Sequence, residues 1–170
     1  MIELLQQLPN AHTVSFSVLT FHKLVFEERV KLNCVYCHNY NRKCTCPPRL
    51  DHIDFRKALS EYSNFAAVIY KQSIAASVTD IDRRISTQKL SEFLYSAEEV
   101  LWENGYPLAM TFTGGSCKVC DKCNGRTHAK GCRIPIEAMG INVVRTMNNV
   151  RVPIIFPPKH FFYRVGLIVW

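Results

Sequence analysis

Eight cysteines stand in two groups, Cys34, Cys37, Cys44 and Cys46 in the first and Cys117, Cys120, Cys123 and Cys132 in the second, with none elsewhere. Four thiols within a short span suit a tetrahedral thiolate metal site or an iron-sulfur cluster, because each sulfur must reach one centre without stretching the backbone. In the second group Cys117-x₂-Cys120-x₂-Cys123 is followed after eight residues by Cys132. Two-residue gaps let the chain wrap one side of a 4Fe-4S cubane and place three thiolates on it, while a distant cysteine supplies the fourth corner. Zinc more often takes cysteines as two separated pairs, so this run points to a cluster first and to zinc second. The first group pairs Cys34-x₂-Cys37 with Cys44-x-Cys46-Pro47-Pro48. That arrangement either closes a zinc site or ends in the Cys-Pro dipeptide of a distal cluster ligand. Exchange of Cys46 and Cys132 between two centres stays open, as does a spare or structural role for Cys44 or Cys46.

The residues around the thiols fit the same chemistry. Gly114, Gly115 and Ser116 lead directly into Cys117. Glycines allow close approach of the backbone and can turn N–H groups toward sulfur, so these three are expected to surround the ligands; the plain alternative is a tight turn after a strand. Lys118, Lys122, Arg126, Lys130 and Arg133 interleave the second group, either to offset an anionic centre or as a solvated basic loop. The formal charge is +7 with every thiol counted as neutral. A 4Fe-4S core or a Zn²⁺ held by four thiolates carries about −2, so two filled sites bring the balance to about +3. No continuous basic helix or stacking motif accompanies the charge, which argues against a nucleic-acid surface. His38, His52 and His128 are near enough in sequence to serve as ligands or proton donors, or are loop histidines. Glu137 either accepts a hydrogen bond from a ligand-bearing loop or lies on a helix surface.

Other chemistries fit less well. The stretch Gly114-Gly115-Ser116-Cys117-Lys118 lacks the longer glycine-bounded loop of a phosphate-binding motif, and no dinucleotide fingerprint is present. Cys34-x₂-Cys37 has dithiol redox spacing, but thioredoxin-like pairs stand alone at a helix start, and here further cysteines crowd the pair.

The elements that must position these residues alternate between strand-like and helix-like patterns, which predicts an α/β fold with a small mixed sheet flanked by helices. With 170 residues and 48% hydrophobic content, the chain is expected to form a single compact domain over 1–170. Residues 13–21 (TVSFSVLTF) read as a half-buried strand, and 24–30 as a second short strand or a helix start. The first cysteine group then forms a loop. Asp51 or Asp54 caps a helix ending near Tyr62, and 65–70 (FAAVIY) reads as a buried strand. Leu90, Phe93, Leu94, Ala97, Val100 and Leu101 recur at helical spacing within 87–104, with Asn104-Gly105 as the stop. A strand over 108–113, a closing helix over 135–148 and a final strand over 161–170 complete the reading. The apolar end FFYRVGLIVW pairs with another subunit at a sheet edge if it is not internal, which leaves a homo-oligomer possible. The opening MIELLQQLPNAHT lacks the basic region, apolar run and small-residue cleavage site of a signal peptide, and no stretch is long and apolar enough for a membrane span, so a cytoplasmic location with reduced thiols is expected.

The order of motifs resembles a family of predicted metal-binding proteins, domain of unknown function 2284. The features that carry the resemblance are Cys34-x₂-Cys37 with Tyr40, Cys46-Pro47-Pro48, Gly114-Gly115-Ser116-Cys117-x₂-Cys120-x₂-Cys123, and Cys132-Arg133-Ile134-Pro135 followed by Glu137-Ala138-Met139-Gly140-Ile141-Asn142-Val143. The likeness covers about 24–145. Cys44 is additional to the family pattern, and Asn142 stands where an aspartate is expected, a change that touches helix packing or capping. The resemblance implies metal or iron-sulfur binding in a cytoplasmic protein and brings no reaction with it. Three functions follow as expectations. The first is a 4Fe-4S protein with one or two clusters that exchanges electrons with a redox partner protein. The second is an enzyme with an open metal position, and the third a zinc-stapled binding module.

Overall fold

The computed structural model describes residues 1–74, 77–118, 123 and 132–170. Four strands, β1 (Val14–Leu19), β2 (Phe65–Ser73), β3 (Met110–Phe112) and β4 (Phe161–Val169), form one sheet in the order β1-β2-β4-β3. All three pairings are antiparallel, with Phe65 opposite Val169, Leu19 opposite Phe65 and Phe112 opposite Leu167. The expected mixed sheet is therefore corrected to an antiparallel one. The physical reason lies in the connection. A long helix, α4 (Asp80–Glu103), returns the chain from β2 to β3 so that those strands run parallel, and β4 then inserts between them antiparallel to both. The isolated bridge between Thr113 and Pro135 is parallel and lies outside the named strands.

Both faces of the sheet are covered. Phe65, Ala67 and Ile69 of β2, with Val165, Leu167 and Val169 of β4, pack against Phe55, Ile136, Met139 and Met147. Val68, Tyr70 and Ile168 point the other way, onto Leu90, Phe93, Leu94, Ala97 and Leu101 of α4. Strands buried on two faces carry unbroken apolar runs rather than alternation, which is why 65–70 reads as a continuous FAAVIY. Gly166 is set by the same packing. A Cβ there would lie 2.7 Å from Leu94 Cδ1 and 3.1 Å from the Phe112 carbonyl oxygen.

Local chemistry fixes the helix ends. Thr79 and Asp82 form a reciprocal capping box, so α4 starts seven residues before the apolar periodicity that announces it. Asp54 accepts a hydrogen bond from the Lys57 N–H at 2.9 Å and caps α3 (Phe55–Ser60). The helix expected over 135–148 is two pieces, a 3₁₀ turn Ile136–Met139 and α5 (Val143–Asn149). Gly140 between them has φ +79°, a left-handed conformation that ends the first piece. Asn142 then restarts the helix by accepting from the Arg145 N–H at 3.1 Å, the capping role expected for that position. The region read as a second strand or a helix start begins α2 (Glu28–Val35), so Cys34 sits on a helix rather than in a loop. Leu108 is exposed and β3 is short, because its partner β4 ends at Val169 opposite Met110.

Candidate metal centre

Three segments carry the thiols to one part of the molecule. The first is the C-terminal turn of α2, with Cys34 in the helix and Cys37 just after it. Its position is set by α5 and the turn before it. Glu27 N–H donates to the Gly140 carbonyl at 2.8 Å, Asn142 N–H to Val25 at 2.8 Å, and Val25 N–H to Thr146 Oγ1 at 3.0 Å. The second segment is a chain of turns over 36–54, closed by bonds such as Asn41 N–H to Pro47 O at 2.8 Å and Cys46 N–H to Lys43 O at 3.2 Å. The third follows β3. Thr113 pairs with both Ile134 and Ile136 through backbone bonds of 3.0 and 2.9 Å, which holds the approaches to Cys117 and Cys132 side by side. Gly114 is required at this crossing, since a Cβ would meet the Val165 carbonyl oxygen at 2.5 Å.

The sulfurs collect in two places. Cys44, Cys117 and Cys132 form a buried cluster, and Cys44 Sγ lies 3.2 Å from Cys132 Sγ. Cys34, Cys37 and Cys46 instead line a cavity of about 220 Å³, together with Tyr40, Ser116 and Glu137. Cys123 is partly buried and adjoins Cys44. Cys120 lies outside the described residues, as do Lys122, Arg126, His128 and Lys130. His38 and His52 are exposed.

The surroundings correct some expectations and add residues that sequence reading passes over. Gly115 N–H donates to Glu137 Oε2 at 3.1 Å, so this glycine addresses a carboxylate on the cavity wall instead of a sulfur. Glu137 thus takes a hydrogen bond from the ligand-bearing loop. Asn39 is buried, and its Nδ2 donates to Ser116 Oγ at 3.0 Å and reaches Cys37 Sγ at 3.6 Å. Arg133, directly after Cys132, is engaged by Glu98 at 2.5 and 3.0 Å, donates to the Cys132 carbonyl at 3.1 Å and has Tyr95 5.3 Å away. A cation from the far end of the chain, Arg164, lies against Gly114 and Gly115. Burial lowers its pKa from the usual arginine range, and the Glu137 carboxylate opposes that shift.

Burial also acts on the thiols. It pushes Cys46 up to about 12, with the neighbouring Cys37 and Cys34 adding to the shift. Cys34 and Cys44 are raised in turn, again chiefly by burial. Buried thiolates are costly without a compensating cation. A metal fits the donor set for this reason and because thiolates select zinc, copper(I) and iron-sulfur groups. Thr45, between Cys44 and Cys46, is 4% exposed, and its Oγ1 has no hydrogen-bond partner among the described residues. A hydroxyl left in that state suits a site that gains an acceptor when filled. The cysteines are gathered but not pre-arranged: among the described residues no group of three or more His, Cys, Asp or Glu has the geometry to hold a metal ion as it stands.

Comparison with known proteins decides the affiliation. The family model described as predicted metal-binding protein (DUF2284) matches residues 17–169. The chain belongs to this family. The match runs wider than the 24–145 region whose motifs carry the resemblance, and takes in all four strands apart from the first residues of β1. All eight cysteines fall inside the DUF2284 region. No curated protein and no solved structure matches the chain.

Proposed function

We propose that this protein is a cytoplasmic 4Fe-4S protein that exchanges single electrons with a partner redox protein. The observation that carries the reading is the gathering of seven described thiols by three distant segments, one of which contains the C-x₂-C-x₂-C run. Cys34, Cys37, Cys44, Cys46, Cys117, Cys120, Cys123 and Cys132 would hold the clusters. When bound, such a cluster supplies one-electron transfer at a potential set by hydrogen bonds to sulfur, nearby charge and solvent exposure. The chain's own residues provide those settings. Asn39 directs an amide N–H toward Cys37 Sγ, Glu137 adds a negative charge at the cavity wall, and Arg164 adds a positive one behind Gly115. Burial of Cys44, Cys117 and Cys132 excludes water from their centre.

A second reading is zinc at that buried group: the Cys44 and Cys132 sulfurs lie 3.2 Å apart, close enough to serve one ion, and zinc accepts four thiolates. Purification without oxygen, with an ultraviolet-visible spectrum and metal and sulfide analysis of one sample, separates the two. Broad absorption with iron and sulfide in equal amounts supports the cluster. A colourless protein holding zinc overturns the redox reading and leaves a metal-stapled binding module.

A further inference from the structure

Sequence neighbourhood does not decide which thiols work together. Cys44 and Cys46 are two residues apart, yet they face different places. The Cys44 sulfur is 3.2 Å from that of Cys132 and shares a buried cluster with Cys132 and Cys117. Cys46 lines the cavity with Cys34 and Cys37. The turn closed by the bond from Cys46 N–H to Lys43 O reverses the chain between the two side chains, with buried Thr45 at the divide.

The two places also differ in access. Cys44, Cys117 and Cys132 are each 8% exposed. Cys37 is exposed and Cys34 is half-buried, so access to this cavity runs past those two, while Cys46 on the same cavity is 7% exposed. The cavity beside them has a volume of about 220 Å³, enough to admit a small molecule. Apart from the thiols its walls are largely apolar, with Val30, Pro47 and Ala138, and Glu137 contributes a carboxylate. That charge disfavours an anion and leaves a neutral donor as the ligand that matches the site.

We propose that the seven described cysteines divide crosswise into a closed centre on Cys44, Cys117, Cys123 and Cys132 and an accessible centre on Cys34, Cys37 and Cys46, where a small neutral nitrogen or sulfur donor reaches the metal through the cavity. The proposal rests on the metal-binding reading above and extends it. Cys44, the residue in excess of the family pattern, then belongs with the second sequence group and not with its own. The accessible centre is the one suited to bind or activate a small molecule, and the closed one is suited to structure or electron storage.

Cobalt(II) tests this without regard to the native metal, because its visible bands report thiolate ligation and coordination number. The reduced full-length protein is loaded anaerobically, metal is counted, and spectra are recorded with and without imidazole as the neutral donor. Cys44→Ser and Cys132→Ser are expected to remove the same bands and about half of the cobalt. Cys34→Ser, Cys37→Ser and Cys46→Ser should remove the other set. Imidazole should shift the second set alone. Loss of the same bands in Cys44→Ser and Cys46→Ser overturns the division while leaving metal binding intact. An imidazole response seen only after Cys120→Ser, or absent throughout, overturns the access. A chain that takes up no cobalt overturns both this division and the metal-binding reading. Using at least two variants for each centre keeps the outcome readable if one of them fails to fold.

Discussion

Arg133 follows Cys132 directly, and burial decides what its charge does. Its guanidinium meets the Glu98 carboxylate at both Nη2 and Nε, and Glu98 also accepts from the Thr111 N–H and hydroxyl, each at 2.7 Å. The side chains are 10% and 4% exposed, so neither charge has water to fall back on. Removing one partner of such a pair leaves an uncompensated charge in a medium of low dielectric, which costs about 3–5 kcal/mol. Arg133→Met should therefore lower unfolding stability by that amount, measured by urea denaturation of the metal-free protein. Adding Glu98→Leu to the same chain should recover much of the loss, because an apolar pair avoids the desolvation cost. A single variant within 1 kcal/mol of wild type would mean that water reaches Glu98. The ion pair also ties α4 to the end of β3 and to the residue after Cys132, so Arg133→Met should weaken metal retention as a secondary effect.

The junction of α2 with α5 shows how elements set the thiols' position. Glu27 sits at the N-terminus of α2, where it takes bonds from Arg29 at 2.6 Å, from Asn142 at 3.2 Å and from Arg145. Those donors lower its carboxyl from 4.5 to about 2, with Arg29 the largest contributor. The sign follows from the depressed value. The ionised form is favoured by folding, so the contribution is present above pH 4.5 and fades as pH falls from 4.5 toward 2. Glu27→Gln should flatten the stability profile in that window and leave the neutral-pH fold intact, as followed by thermal unfolding at several pH values. An unchanged acid limb in the variant would show that Glu27 does not link the helices. Because α2 ends at Val35, next to Cys34, loosening its start should also broaden the placement of Cys34 and Cys37.

At the scale of the whole molecule, the last strand is central. β4 pairs with β2 along Phe161–Val169 and with β3 along its final residues, and it feeds side chains into both apolar layers. Residues 167–169 of β4 are therefore internal to the sheet, held between β2 and β3. Removing residues 161–170 would strip β2 of its neighbour, leave β3 with no partner among the named strands and open the core on both faces. Such a truncation should lose the cooperative unfolding transition altogether, seen as a flat circular dichroism melt. A cooperative melt would mean that β1, β2 and α4 fold as a unit without it. No described helix is long and apolar enough to cross a membrane.

The sequence alone determined the parts of this protein that depend on near neighbours. The spacing of the thiols pointed to metal chemistry, and the family motifs to a metal-binding lineage, because ligand gaps are short-range constraints. Asp54, Asn104-Gly105 and the apolar rows of α4 and β2 announced their elements for the same reason: caps and periodicities act within a few residues. The Thr79-Asp82 box was equally local and was readable as a cap, yet the charged residues Asp80, Asp82, Arg83 and Arg84 hid the first turns of the helix. Only the tertiary structure decided what depends on chains crossing. Gly115 could face a sulfur or a carboxylate until Glu137 arrived from 22 positions away. Arg133 stands beside Cys132 in sequence, and only the fold brought Glu98 of α4 to it. Cys44 and Cys46 stand two positions apart in one sequence group, and their separation arises because a turn reverses the chain between them while Cys132, 88 positions on, packs against Cys44. Burial, charge pairing and access are set by segments meeting in space, and no local pattern records which segments meet.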